Sequence, residues 1–202
     1  MKNMKRSVAL LVAIALLIGC AAGGTMAWLM DETDAVTNTF VAGDITITLK
    51  ESPLNNDGTY GTAAENVTNQ YAMIPGKEYK KNPVVTVEAG SEDCWLFVKF
   101  EELNNPSTYL TYTSTLTETN DWTQGTGTIP SNVWYRKVMS DDPVKQWALL
   151  SDNKITVKGD AVTKENMATA ATAKLTYTAY AHQLYNNTTE FSAAEAWAAL
   201  NS

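Results

Sequence analysis

The 202-residue chain is poor in the side chains on which most enzymes and metal sites are built. It has one histidine, His182, and two cysteines, Cys20 and Cys94. A single histidine cannot form the paired-histidine site of a zinc protease. Two cysteines frame neither a Cys/His zinc site nor a multi-disulfide scaffold. Charged residues make up only 18% of the chain, and acidic ones outnumber basic ones, 22 against 15, for a formal charge of −7. That sign argues against nucleic acid as a partner, because phosphate binding needs a basic surface. The sequence also carries no Gly-x-Ser-x-Gly elbow, no phosphate loop and no Gly-x-Gly-x-x-Gly run. What it has in quantity is threonine, 27 residues, many alternating with apolar positions. Threonine is β-branched and suits a pleated, half-solvated face. Hydrophobic residues, at 45%, mark a globular chain rather than a disordered one. A chain of this length buries roughly 70% of its unfolded surface, so it needs no disulfide staple to fold.

The amino terminus has the layout of an export signal. Lys2, Lys5 and Arg6 form a positive region, Ser7 to Gly19 is almost purely apolar, and Asp31-Glu32 ends the uncharged stretch. Thr25-Met26-Ala27 places small residues before a cut between Ala27 and Trp28. Removing residues 1–27 leaves 12 basic residues against 22 acidic ones, so the mature charge falls to −10. Two other fates fit the same segment. Ser7 to Met30 is long enough to stay as a membrane anchor, which takes about 20 residues, although Gly19, Gly23 and Gly24 interrupt it. Leu17-Ile18-Gly19-Cys20 also fits a bacterial lipobox, in which Cys20 would be lipidated. On the first reading the chain meets the membrane only before cleavage, through its signal, and Cys94 is left as the one thiol of the mature protein. Cys94 sits in the apolar run Cys94-Trp95-Leu96-Phe97-Val98, which predicts a buried, inert thiol.

Beyond the signal, residues 28–43 read as an extended segment and 44–202 as one β domain. Alternation predicts strands over 44–50, 83–87, 94–103, 109–116, 133–138, 147–150, 155–158 and 174–184. The run 94–103 is bulky on both faces and so belongs at the centre of a sheet. Two tight connections predict hairpins, one joining 83–87 to 94–103 and one joining 147–150 to 155–158. Residues 52–70 are full of breakers and read as a loop; 162–173 reads as a short helix or a loop. The last element is a helix over 192–200, with Ser192 and Glu195 as a capping box and Trp197 and Leu200 on its inner face. About eight strands, most of them five to ten residues long, with turns between them describe an all-β, jelly-roll-like β-sandwich with a short C-terminal helix.

Several of these stretches together resemble the TasA/camelysin (CalY) family of exported Gram-positive proteins. They are Gly23-Gly24-Thr25-Met26-Ala27-Trp28-Leu29, Asp31-Glu32-Thr33, Asn38-Thr39-Phe40 and Gly43-Asp44-Ile45-Thr46-Ile47-Thr48-Leu49. Ile74-Pro75-Gly76-Lys77, Pro83 to Val87, Cys94 to Val98, Tyr177 to Gln183 and Ala194-Glu195-Ala196-Trp197 continue the likeness to the end of the chain. Leu29 departs from it, standing where phenylalanine is usual. The resemblance implies a SipW-type signal peptidase, a jelly roll, secretion, and a role in extracellular matrix or surface fibres. It implies that subunits join when the N-terminal segment of one adds as a strand to the next. In this chain that segment carries Trp28, Leu29, Met30, Val36, Phe40 and Val41. The partner is then another copy, as a homopolymer, or a related matrix subunit.

Camelysin is described as a metallopeptidase, but a zincin needs two histidines on one helix turn and this chain has one. The acidic pairs offer little more. Glu101 and Glu102 point to opposite faces of a strand, and Asp141-Asp142 in a turn is the remaining weak Ca²⁺ candidate. No cofactor is expected and no catalytic residue is assigned. His182 reads as a surface or interface side chain. The six tryptophans lie mostly at strand positions and read as core filling rather than a sugar-binding platform; Trp122, in an Asp/Thr/Gly-rich stretch, is the one to test as a ligand contact, the feature an adhesin or lipid-anchored binding module would need.

Overall fold

The computed structural model describes residues 44–202. The signal segment, the cleavage pair Ala27 and Trp28, Cys20, and the assembly residues Leu29, Met30, Val36, Phe40 and Val41 lie outside the described residues.

The described chain is mostly β, in antiparallel sheets. Its strands are β1 (Ile47–Glu51), β2 (Ala64–Glu65), β3 (Glu78–Lys80), β4 (Val84–Val87), β5 (Cys94–Leu103), β6 (Leu110–Thr111), β7 (Thr123–Gln124), β8 (Val133–Val138), β9 (Gln146–Ala148), β10 (Lys154–Val157), β11 (Lys174–Gln183), β12 (Tyr185–Asn186) and β13 (Thr189–Glu190). The expected eight long strands are thus more numerous and mostly shorter. The added strands are pairings of two or three residues between the expected ones, and 109–116 pairs only at Leu110–Thr111. Asn66, Asn104, Asn105, Asp121, Asp152, Asn153 and Asn187 take left-handed backbone conformations in the connections, a region that Asn and Asp tolerate far better than other side chains do.

Two four-stranded sheets, ordered β2-β1-β4-β9 and β11-β5-β8-β7, bury one core between them. Val85 and Val87 of β4 face Cys94, Leu96 and Val98 of β5 in that core, all essentially without solvent contact. This overturns both expected hairpins. β4 pairs with β1 and β9, whereas β5 pairs with β11 and β8. The turn between β4 and β5 therefore carries the chain from one layer to the other. Both strands have an apolar face, and facing each other across the core hides both faces, which pairing side by side would not. β9 and β10 separate in the same way: β9 stays with β4, while β10 joins β3 and β6 in a three-stranded sheet. That third sheet has its own cluster, with Tyr79, Leu110, Ile155 and Val157 packed beside Leu175 and Tyr177 of β11.

β5 is the central strand that its bulky residues predict. It pairs with β11 along all ten residues and with β8 along six. Its outer face is also covered. Phe97 is fully buried beneath the C-terminal helix, Ala193–Leu200, which lays Ala196 and Trp197 against it. The helix starts where a capping box predicts: Ser192 accepts from the Glu195 backbone N–H, and the Glu195 carboxylate accepts from the Ser192 backbone N–H at 2.8 Å. Trp197 packs at 5.3 Å from Phe97 and 5.4 Å from Tyr180, ring centre to ring centre.

Candidate functional site

The inward face of β1 reads Ile47, Leu49, Glu51, and that of β11 reads Leu175, Tyr177, Ala179. These two strands lie next to each other at the open side of the two layers, and between them runs a groove of about 1000 Å³. Among the described residues β11 pairs only with β5, so one edge of a ten-residue strand has no strand partner. β1 pairs with β4, and on its other side β2 covers only Lys50 and Glu51. Residues 65–71 form the far wall. An unpaired strand edge beside an apolar trough is the geometry that accepts an extended polypeptide: the backbone completes the ladder and alternate side chains enter the trough.

One end of the groove is polar. Lys81 is buried and its Nζ lies 3.0 Å from Glu51 Oε2, with side chains only 9% and 12% exposed. Glu51 Oε1 also accepts from the Tyr71 hydroxyl at 3.1 Å and from Asn69 Nδ2 at 3.1 Å. Burial, reinforced by the Glu51 carboxylate, pushes the Tyr71 hydroxyl well above its ordinary pKa, and burial does the same for Tyr177. Both phenols are therefore neutral at any physiological pH. Three lysines, Lys50, Lys81 and Lys174, line the groove against Glu51 and Glu65. The groove is therefore cationic by one formal charge in an acidic chain.

The sequence missed this network, yet the signal was there. Lys81 shares the parity of Pro83, Val85 and Val87, and all four are buried. Glu51 shares the parity of Ile47 and Leu49. Extending each inward-facing row by one step places a lysine and a glutamate inside together, where they must pair.

The other candidate residues do not converge here. Trp122 is 2% exposed, locked in the core at 6.1 Å from Trp147, so it is a packing residue and not a ligand contact. The aromatic side chain wins burial despite its polar neighbours because it fills the space between the layers. His182 is half-buried rather than on a solvated face. Its ring packs edge-on at 4.9 Å against Phe191, and Nδ1 lies 2.8 Å from the Gln183 carbonyl. Cys94 is fully buried, and burial pushes its thiol up to about 11, as an inert cysteine requires. Asp142 accepts from the Met139 N–H at 2.8 Å and so closes its own turn. Asp141 and Asp142 belong to no group of three or more His, Cys, Asp or Glu side chains placed to hold a metal among the described residues. No family model matches the chain, and no curated protein and no solved structure is significantly similar to it.

Proposed function

We propose that the protein is a secreted structural subunit of the bacterial extracellular matrix or cell surface, assembling into fibres by strand addition. Residues 28–41 of one subunit enter the β1/β11 groove of the next and pair with the free edge of β11. The observation that carries this reading is the ten-residue edge that has no strand partner among the described residues, beside an apolar trough. Charge supports it. The segment 28–41 contributes Asp31, Glu32 and Asp34 and no cationic side chain, and the groove rim holds Lys50 and Lys174. A head-to-tail contact of this kind need not close on itself and so propagates as a filament. Signal removal by a SipW-type peptidase would free the donor segment, making export the step that permits assembly. On this reading the two facing sheets form a jelly-roll-like sandwich, the partner is another copy or a related matrix subunit, and the chain performs no catalysis.

The test compares the exported protein with a version lacking residues 28–41. Both are checked for folding by circular dichroism and for filaments by negative-stain electron microscopy. The reading expects filaments from the first and folded monomers from the second. Filaments of equal length and number from the deletion would overturn it.

A further inference from the structure

The polar end of the groove brings together a primary amine, a carboxamide and a carboxylate in the order that amide exchange requires. Lys81 Nζ and Asn69 Nδ2 both donate to the same oxygen, Glu51 Oε1, at 3.3 and 3.1 Å. Asn69 Oδ1 accepts from the Leu54 backbone N–H at 2.6 Å. That bond fixes which end of the Asn69 amide is oxygen, because a backbone N–H has nothing to donate to an NH₂ group. The carboxamide is thus polarised at its oxygen by a fixed donor, as an oxyanion site polarises a carbonyl. Its nitrogen and the attacking amine share one carboxylate. The Lys81 and Glu51 side chains are only 9% and 12% exposed, and Lys81 Nζ lies 5.9 Å from the Tyr177 ring centre, so water reaches this pair chiefly from the groove.

We propose that Lys81 and Asn69 form an intramolecular isopeptide bond, with Glu51 carrying the protons. In the buried pair a proton passes from the ammonium to the carboxylate, which frees the amine as a nucleophile. Lys81 Nζ then bonds to Asn69 Cγ, and the Cγ–Nδ2 bond breaks. Of the three protons on Nζ, one stays on the new amide and two travel through Glu51 to the leaving nitrogen, which departs as ammonium. Glu51 ends as the carboxylate it began as, and no oxidant, reductant or cofactor is consumed. The product ties the groove wall at 65–71 to the residue leading into β4. That wall forms no long strand of its own, so the covalent tie holds the groove open at a fixed width.

The test is a tryptic peptide map of the full-length native chain by mass spectrometry. The expected product is a branched peptide joining 51–77 to the peptide containing Lys81, lighter by one ammonia than its two parts, with cleavage after Lys81 blocked. Glu51→Gln, which keeps the shape and a hydrogen-bonding oxygen, should give the two separate peptides while retaining the wild-type circular dichroism spectrum. Full cleavage after Lys81 and an unmodified 51–77 peptide in the wild type would overturn the proposal. So would undiminished branching in folded Glu51→Gln. Should that variant not fold, the wild-type map decides alone.

Discussion

The two sides of the paired sheets are built from the same layers and finished in opposite ways. At the β8 side the gap is plugged. Arg136 of β8 reaches between the layers, its guanidinium carbon 4.5 Å from the Trp147 ring centre and 5.4 Å from that of Trp122. Burial lowers its pKa, but it stays charged, and Nη1 donates to the Asn120 carbonyl at 3.3 Å. Two residues of β7 then add to the edge of β8. At the β11 side there is no such plug among the described residues. A full-length strand edge faces a groove instead. A long bare edge is a liability that proteins blunt by covering or charging it. This chain does so on one side; under the proposed function, the edge left bare among the described residues is the surface that takes a partner.

The sharpest way to break that contrast is to remove the plug. Trp122→Ala should cost about 3–5 kcal/mol, the usual range for deleting a buried aromatic, and somewhat more from the lost cation–π contact. Chemical denaturation would show a lower midpoint. A loss below about 1 kcal/mol would mean that the plug is ornamental and that the two sides are alike.

The polar end of the open side comes next. Lys81→Met leaves the Glu51 carboxylate buried without the Lys81 nitrogen, whether as ammonium or as the proposed amide N–H, and should cost about 3 kcal/mol or more. The double change Lys81→Met/Glu51→Leu should recover much of that loss, because it removes the stranded charge along with its partner. A double variant as unstable as the single one would show that the groove end depends on packing and not on charge.

The apolar part of the open side should behave differently again. Thr176 is exposed on β11. Thr176→Glu should change stability by less than about 0.5 kcal/mol, as surface substitutions do. It should nevertheless shorten or abolish filaments, because a carboxylate on the free edge repels the acidic donor segment. Light scattering and microscopy on the folded variant read the two effects separately. Unchanged filaments would move the acceptor site away from β11.

Legibility from sequence followed the same division. β5, β8 and β11 were readable almost residue for residue, because each is long and its side chains alternate without interruption. The helix was readable from Ser192 and Glu195 alone. Strand partners were not readable. A short connection favours a hairpin, yet nothing in Pro83 to Val87 or Cys94 to Val98 tells a turn within a sheet from a turn between sheets. The groove escaped notice because it is made by strands 47–51 and 174–183, remote in sequence and individually ordinary. Its charged pair was visible only by continuing two inward rows past their apolar residues, to Glu51 and Lys81.

The smallest effect on assembly belongs to the third surface, the outer face of the central sheet, which the C-terminal helix covers. The Ser192 hydroxyl and backbone N–H hold the Glu195 carboxyl below its ordinary value of 4.5. A carboxyl with a lowered folded pKa lends stability above its unfolded value and loses it as pH falls through the folded one. Wild-type Glu195 should therefore titrate below 4.5 by carbon-detected NMR, and Ser192→Ala should move it back toward 4.5. Losing the hydroxyl cap should itself cost about 1 kcal/mol at neutral pH. The penalty should shrink in acid, where Glu195 is protonated in both proteins and the reciprocal bond is already gone. Filament formation should be untouched, because the helix covers Phe97 and Trp95 on the far face of β5 and does not line the groove. If Ser192→Ala weakened assembly as strongly as Thr176→Glu, the open edge and the covered face would have to act as one surface, and the contrast between them would fail.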